Sequence, residues 1–140
     1  EVSEFVVSGF TSFKAMSDEP CKPYSSRRDG ITLGEAAAAV LITTDKVNAK
    51  ARVAGDGSIN DANHISGPSR TGEGLVLSIE SALREAGVGP DVVDYISAHG
   101  TATLYNDEME TTGWGLKMCP LTALKVITVI HLGHQAFWKP

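Results

Sequence analysis

The stretch from Gly72 to Gly100 constrains the fold more than any other part of the chain. Leu75, Ile79, Leu83 and Ala86 recur at helical spacing, Ser69 or Thr71 can cap the start, and Gly87 suits the left-handed position just past a helix. Val88 to Pro90 makes a short link. Val92 to Ala98 follows as an apolar run with aromatic and β-branched character that ends at His99 and Gly100. A helix leading by a short link into a buried strand is the grammar of an α/β fold. Asp107, Glu108 and Glu110 then open a second predicted helix, where negative charge favours the positive end of the helix dipole.

Upstream the pattern is less regular. Residues 5–8 are short, apolar and β-branched and precede Gly9, which reads as a buried strand or its end. Ser17 to Gly30, with Pro20 and Pro23, reads as a loop. Leu33 to Thr44 is a long apolar run whose second half, Val40 to Thr44, favours a strand. Ala49 to Ala54 alternates small or apolar with basic side chains and could pair with it across a turn at Asp45 to Asn48. Gly55 to Pro68, rich in Gly, Asp, Asn and Ser, is expected to be an irregular loop joining two structural halves. The chain starts at Glu1, directly before the apolar Phe5, Val6 and Val7, and reads as an internal piece.

With 140 residues, 42% hydrophobic and 21% charged, the composition is that of one globular domain. The formal charge of −5 argues against a nucleic-acid partner, since Arg27 and Arg28 are matched by Asp29 and Glu35. No run of about 18 apolar residues suits a membrane span, and no basic-then-apolar leader precedes the first segment, so a cytoplasmic location is the expectation. Cys21 and Cys119 lie far apart and outside CxxC spacing, so both are read as reduced thiols.

The chemistry concentrates in Asp94-Tyr95-Ile96-Ser97-Ala98-His99-Gly100-Thr101-Ala102-Thr103, followed by Asn106-Asp107 and Glu110. A histidine where a strand meets a loop is most simply a structural residue. Here Gly100 lets the chain turn beside the ring, two threonines supply hydroxyls on the same loop, and strand ends are where open α/β sheets place reactive groups. The imidazole is expected to face a pocket. The pattern His-Gly-Thr-x-Thr-x-x-Asn-Asp-x-x-Glu after a Tyr-Ile strand resembles the signature around the first active-site histidine of β-ketoacyl-acyl carrier protein synthases. Other segments agree in order: Gly9-Phe10 with Phe13-Lys14-Ala15-Met16-Ser17, Pro23-Tyr24, Arg28-Asp29-Gly30, Gly34-Glu35, and Asn60-Asp61-Ala62-Asn63-His64 through Pro68. The resemblance covers residues 1–125. It departs just after Gly34-Glu35, where alanines stand in place of the glycines of the usual Gly-Glu-Gly-Ala-Gly motif.

The resemblance implies a partial thiolase-like α/β fold, a fragment of a five-layered αβαβα architecture. Residues 1–66 would close its N-terminal half, 67–125 would open its C-terminal half, and 126–140 would be an aberrant tail. It implies an acyltransferase that condenses an acyl thioester with malonyl-acyl carrier protein in fatty-acid or polyketide synthesis. Such enzymes use a Cys-His-His set: the cysteine takes an acyl group from a carrier protein, and the group is joined to the carbanion equivalent left by decarboxylation. His99 corresponds to the first histidine, expected to donate a hydrogen bond to the charge developing on the malonyl thioester oxygen. Thr101 and Thr103 match the threonines that contact the phosphopantetheine arm. Lys125 matches the active-site lysine, expected to be held by Glu110, with Asn106, Asp107 and Glu110 supporting the site.

No cofactor or metal is implied. The partners implied are an acyl carrier protein bearing acyl or malonyl phosphopantetheine and, for the full-length protein, a second subunit in a homodimer or heterodimer. The alternative is a non-catalytic partner like the chain-length-factor subunits, or an inert truncated product. Cys21 and Cys119 lie outside the family's nucleophile turn, which would fall upstream of Glu1, so the chain by itself is expected to be inactive. His64 reads as structural, and His131 and His134, though spaced as HxxH, lack a third ligand. Gly55-Asp56-Gly57 is a weak nucleotide motif, since no GxGxxG or P-loop accompanies it.

After Lys125 the family pattern would continue Gly-Tyr-x-Gly-His-Thr-Leu-Gly-Ala, with the second histidine inside it. The chain instead runs Val126-Ile127-Thr128-Val129-Ile130-His131-Leu132-Gly133-His134 and on to Pro140. Reading each codon from the last base of one present codon and the first two of the next permits the family residues. At Phe137-Trp138 and Trp138-Lys139 that shift forces Leu and Glu. Residues 126–140 are therefore read as a frameshifted tail, of genomic or sequencing origin.

Overall fold

The computed structural model describes residues 2–64, 67–113 and 121–122. Its regular elements are α1 (Glu4–Ser12), α2 (Glu73–Ala86), β1 (Ile96–Ser97), α3 (Leu104–Gly113) and β2 (Leu121–Thr122), with a 3-10 turn at Pro90–Val92 before β1.

The helix expected after Gly72 is α2. Gly72 and Gly87 both take left-handed φ at its ends, and Ser69, 1% exposed, accepts the Glu73 N–H on its hydroxyl at 3.2 Å. The strand expected over Val92 to Ala98 is shorter, since the 3-10 turn takes its start and only Ile96 and Ser97 join a ladder. β1 and β2 run parallel, with Ile96 opposite Leu121 and Ser97 opposite Thr122. Because α3 lies between them in sequence, this is the strand–helix–strand connection of an α/β sheet. The buried core is Ile96 and Ala98, with Leu75 and Ile79 of α2, Val93 and Tyr24 packed against it.

Two upstream expectations are corrected. Residues 5–8 are not a strand but part of α1: Ser3 accepts the Val6 N–H on its side chain at 3.4 Å and Glu4 occupies the first turn. Cap and helix-end charge are local and outweigh the mild strand preference of Val6 and Val7. Val40 to Thr44 and Ala49 to Ala54 form no hairpin. Leu41 and Ile42 are each 88% exposed, and no ladder engages these residues among those described. A strand needs a partner and a surface to cover, and two short segments alone supply too little of either.

The loop from Ser17 to Gly30 is a loop as expected, and its neck is closed. Met16 and Ile31 form a parallel bridge, Ser17 N–H donates to Ile31 O at 2.9 Å, and Ser17 Oγ donates to Asp29 Oδ1 at 2.7 Å. Gly55 to Asp61 runs along α2 in the opposite direction. A Cβ on Gly57 would fall 1.9 Å from Ser78 O, and one on Gly74 would fall 2.8 Å from Asp61 Cβ. The glycines of Gly55-Asp56-Gly57 thus serve close packing of backbone on helix.

Candidate active site

Asp107 and Glu110 stand three residues apart on α3 and so share a face. Each is 1% exposed. Rather than capping their own helix, both carboxylates turn to the loop between β1 and α3. Glu110 Oε1 accepts the His99 N–H at 2.8 Å, and Oε2 accepts the Gly100 N–H at 2.8 Å. Oε2 also accepts the Tyr24 hydroxyl at 2.8 Å and Asn106 Nδ2 at 3.0 Å. Asp107 Oδ1 accepts the Ala102 N–H at 3.1 Å, while Oδ2 accepts the Tyr24 N–H at 2.7 Å and lies 3.8 Å from Arg28 Nε. Burying a carboxylate is costly unless donors replace its water, and here peptide N–H groups do most of that.

These bonds fix an unusual backbone. Gly100 has φ 51°, which glycine adopts readily. Ala102 (φ 62°) and Tyr24 (φ 60°) carry side chains in the same left-handed region, at about 1–2 kcal/mol each. Both give their N–H to the same carboxylate, one to each oxygen of Asp107. With the N–H groups of residues 99, 100 and 102 drawn down onto α3, His99 is exposed, and Thr101 and Thr103 are half-buried with their hydroxyls 2.8 Å apart. The imidazole expected to face a pocket stands exposed among the described residues. The unit presents an imidazole and two hydroxyls on a loop locked from beneath, an arrangement suited to donating hydrogen bonds to an oxygen on which negative charge develops.

The expected site residues His99, Thr101, Thr103, Asn106, Asp107 and Glu110 are therefore gathered in one loop–helix unit. Lys125, Cys119, His131 and His134 lie outside the described residues, and Cys21 is half-buried within the 17–30 loop. Two residues not expected at the site reach it from that loop. Arg28 donates from Nη2 to Leu104 O and from Nη1 to Ser25 O, each at 3.0 Å, pinning the loop to the start of α3. Tyr24 touches both carboxylates. Burial first, then the bond to Glu110 and the charges of Glu110 and Asp107, push the Tyr24 phenol pKa upward, so it stays a neutral donor. The signal for both lay in the Pro23-Tyr24 and Arg28-Asp29-Gly30 matches, read as order markers rather than as site residues.

The parallel β1–α3–β2 unit thus places a carboxylate-locked histidine loop at the strand end. The family of the beta-ketoacyl synthase C-terminal domain matches residues 50–129, and the chain belongs to that family. A curated relative, 3-oxoacyl-[acyl-carrier-protein] synthase 2 of Coxiella burnetii (strain RSA 493 / Nine Mile phase I), is 40% identical over 116 residues, covering 74% of this chain and 28% of the relative. Among solved structures, the ketosynthase ApeO in complex with its chain length factor ApeC from Xenorhabdus doucetiae superposes with a TM-score of 0.72 at 30% identity, over 87% of this chain and 31% of that one. A type II PKS acyl-carrier protein in complex with its ketosynthase bound to the hexaketide (AntDE:AntF) gives a TM-score of 0.68 at 25% identity, over 91% and 36%. The fold is the thiolase-like one of these ketosynthases, and the chain spans about a third of the length of the proteins it matches.

Proposed function

We propose that the chain is part of an acyltransferase that condenses an acyl thioester with malonyl-acyl carrier protein, with His99 in its active site. The observation that supports this most is the clamp of Glu110 on the His99 and Gly100 N–H groups within a His-Gly-Thr-x-Thr loop. In this reading a cysteine elsewhere in the full-length protein holds the acyl group as a thioester. Malonyl thioester loses carbon dioxide, and His99 donates a hydrogen bond to the thioester oxygen as negative charge gathers there. The resulting carbon nucleophile attacks the acyl carbonyl, forms the carbon–carbon bond and expels the cysteine thiolate. Thr101 and Thr103 hold the phosphopantetheine arm by their hydroxyls, while Asn106, Asp107 and Glu110 keep the loop in shape.

Lys125 is proposed to be held by Glu110, a reading that rests on its place in the motif. The partner proposed is an acyl carrier protein, in keeping with the solved ketosynthase complex that carries one. The full-length protein is proposed to act as a homodimer or heterodimer in the cytoplasm. Among the described residues no helix is long and apolar enough to cross a membrane. We further propose that the two halves meet at residues 66 and 67 and that residues 126–140 are a frameshifted tail, the latter tested by sequencing DNA across the Lys125 codon.

A second reading, a chain-length-factor-like partner subunit, is favoured by the neighbour solved with its chain length factor. A cysteine in the nucleophile turn of the full-length protein selects the enzyme, and glutamine or alanine there selects the partner. In the full-length enzyme, His99→Ala should slow malonyl decarboxylation by about 10²-fold or more while acyl transfer to the cysteine suffers less. Wild-type rates in both half-reactions would remove His99 from the mechanism.

A further inference from the structure

We propose that Tyr24 is a positioning residue for His99, an inference that rests on the reading of His99 given above. Tyr24 belongs to neither the strand nor the helix that carries the site, yet it is bound to both of the site's buried carboxylates. Its hydroxyl donates to Glu110 Oε2 at 2.8 Å and its N–H to Asp107 Oδ2 at 2.7 Å. Glu110 in turn holds the His99 and Gly100 N–H groups, so the phenol is one bond removed from the backbone that carries the imidazole.

The anchor is stiff. The loop bearing Tyr24 is closed at its neck by the Met16–Ile31 bridge, and Arg28 ties its far side to Leu104 O. The left-handed φ of Tyr24 aims its N–H at Asp107, and the ring packs against the Ile96 and Ala98 core. Without the hydroxyl, Glu110 Oε2 would lose one of three donors in a place that is 1% exposed. The carboxylate would then shift towards other donors, and the two N–H groups on it would shift as well. A residue that only filled the core would do the same work as phenylalanine.

Tyr24→Phe keeps the ring and the N–H and removes the hydroxyl alone. In the full 140-residue chain, amide hydrogen exchange should speed up about tenfold at His99 and Gly100, the loss expected when one bond to a buried carboxylate goes, while Leu83 in α2 stays unchanged. The His99 ring resonances should move and those of His64 should not. Unchanged exchange at His99 and Gly100, or equal acceleration at Leu83, would overturn the proposal. In the full-length enzyme, Tyr24→Phe should lower kcat about tenfold at unchanged KM, the pattern of a group that acts only in the transition state. Wild-type kcat in the variant would also overturn it. A full-length wild type with no condensing activity would instead refute the proposed function, and the exchange result would still decide whether Tyr24 sets the loop.

Discussion

Replacing Glu110 by glutamine changes one atom in the middle of the site and should be among the most destabilising isosteric changes available to the chain. The carboxylate is 1% exposed and accepts four hydrogen bonds from the described residues, one on Oε1 and three on Oε2. An amide can keep its oxygen only at one of these places. The cheaper orientation keeps it facing Gly100, Tyr24 and Asn106 and sets the new NH2 against the His99 N–H. The lost bond to a charged acceptor costs about 1.5–3 kcal/mol, and the opposed, unsatisfied donors add about 1–3 kcal/mol. Relief from burying a charge offsets part of this, which leaves a net loss of about 2–4 kcal/mol. Against a total stability of about 5–15 kcal/mol that is a large fraction. Urea unfolding at low micromolar protein, with a slope of about 1–3 kcal/mol per M, should show the midpoint falling by about 1–2 M. Exposed Glu108→Gln on the same helix should stay within about 0.5 kcal/mol of wild type. If Glu110→Gln also stays within that margin, the carboxylate does not hold the loop.

Gly57→Ala should cost more than Gly87→Ala in thermal unfolding, because its Cβ would fall 1.9 Å from Ser78 O whereas nothing lies within 4 Å of one on Gly87. At Gly87 only the left-handed φ of 69° remains, at about 1–2 kcal/mol, and equal losses would show that the 55–61 stretch does not pack on α2. Tyr24 should make the wild type sensitive to alkali. Its folded pKa is raised above the ordinary tyrosine value, so the folded chain keeps a proton that the unfolded chain gives up, and the contribution is complete below about pH 10 and declines above it. The stability gap between wild type and Tyr24→Phe should therefore narrow from pH 9 to pH 11, and a constant gap would show that the phenol is not held neutral.

The part of the fold that was legible in sequence is the part specified by near neighbours. Leu75, Ile79 and Leu83 form one stripe whatever surrounds them, and Gly87 ends α2 because its own φ permits it. The acidic start of α3 was legible as a helix, yet not the use of Asp107 and Glu110, whose carboxylates serve a loop preceding the helix. Val40 to Ala54 shows the limit from the other side. A strand is a relation between segments, and strand-favouring residues with no partner among those described form no ladder. Val6 and Val7 are helical despite their branching because the Ser3 cap carries more weight. At the site, the His99 motif could be read as a contiguous string, whereas Tyr24 and Arg28 reach it across 83 and 76 residues, a separation that no periodicity records.

That separation also orders events during synthesis. Asp107 is translated 83 residues after Tyr24, so at about 5–20 residues per second the ribosome takes roughly 4–17 s to supply the acceptor for its N–H. Through that interval the Asp107 acceptor is missing, and Tyr24 has its local turn, in which the Ser25 N–H donates to Lys22 O at 3.1 Å. Ala102 is made only five residues before Asp107, so its bond can close almost at once. The histidine loop can therefore settle onto its own helix first, with the tyrosine docking afterwards as a slower, long-range step. A nascent chain stalled just past α3 should already protect the Ala102 amide from exchange before it protects that of Tyr24.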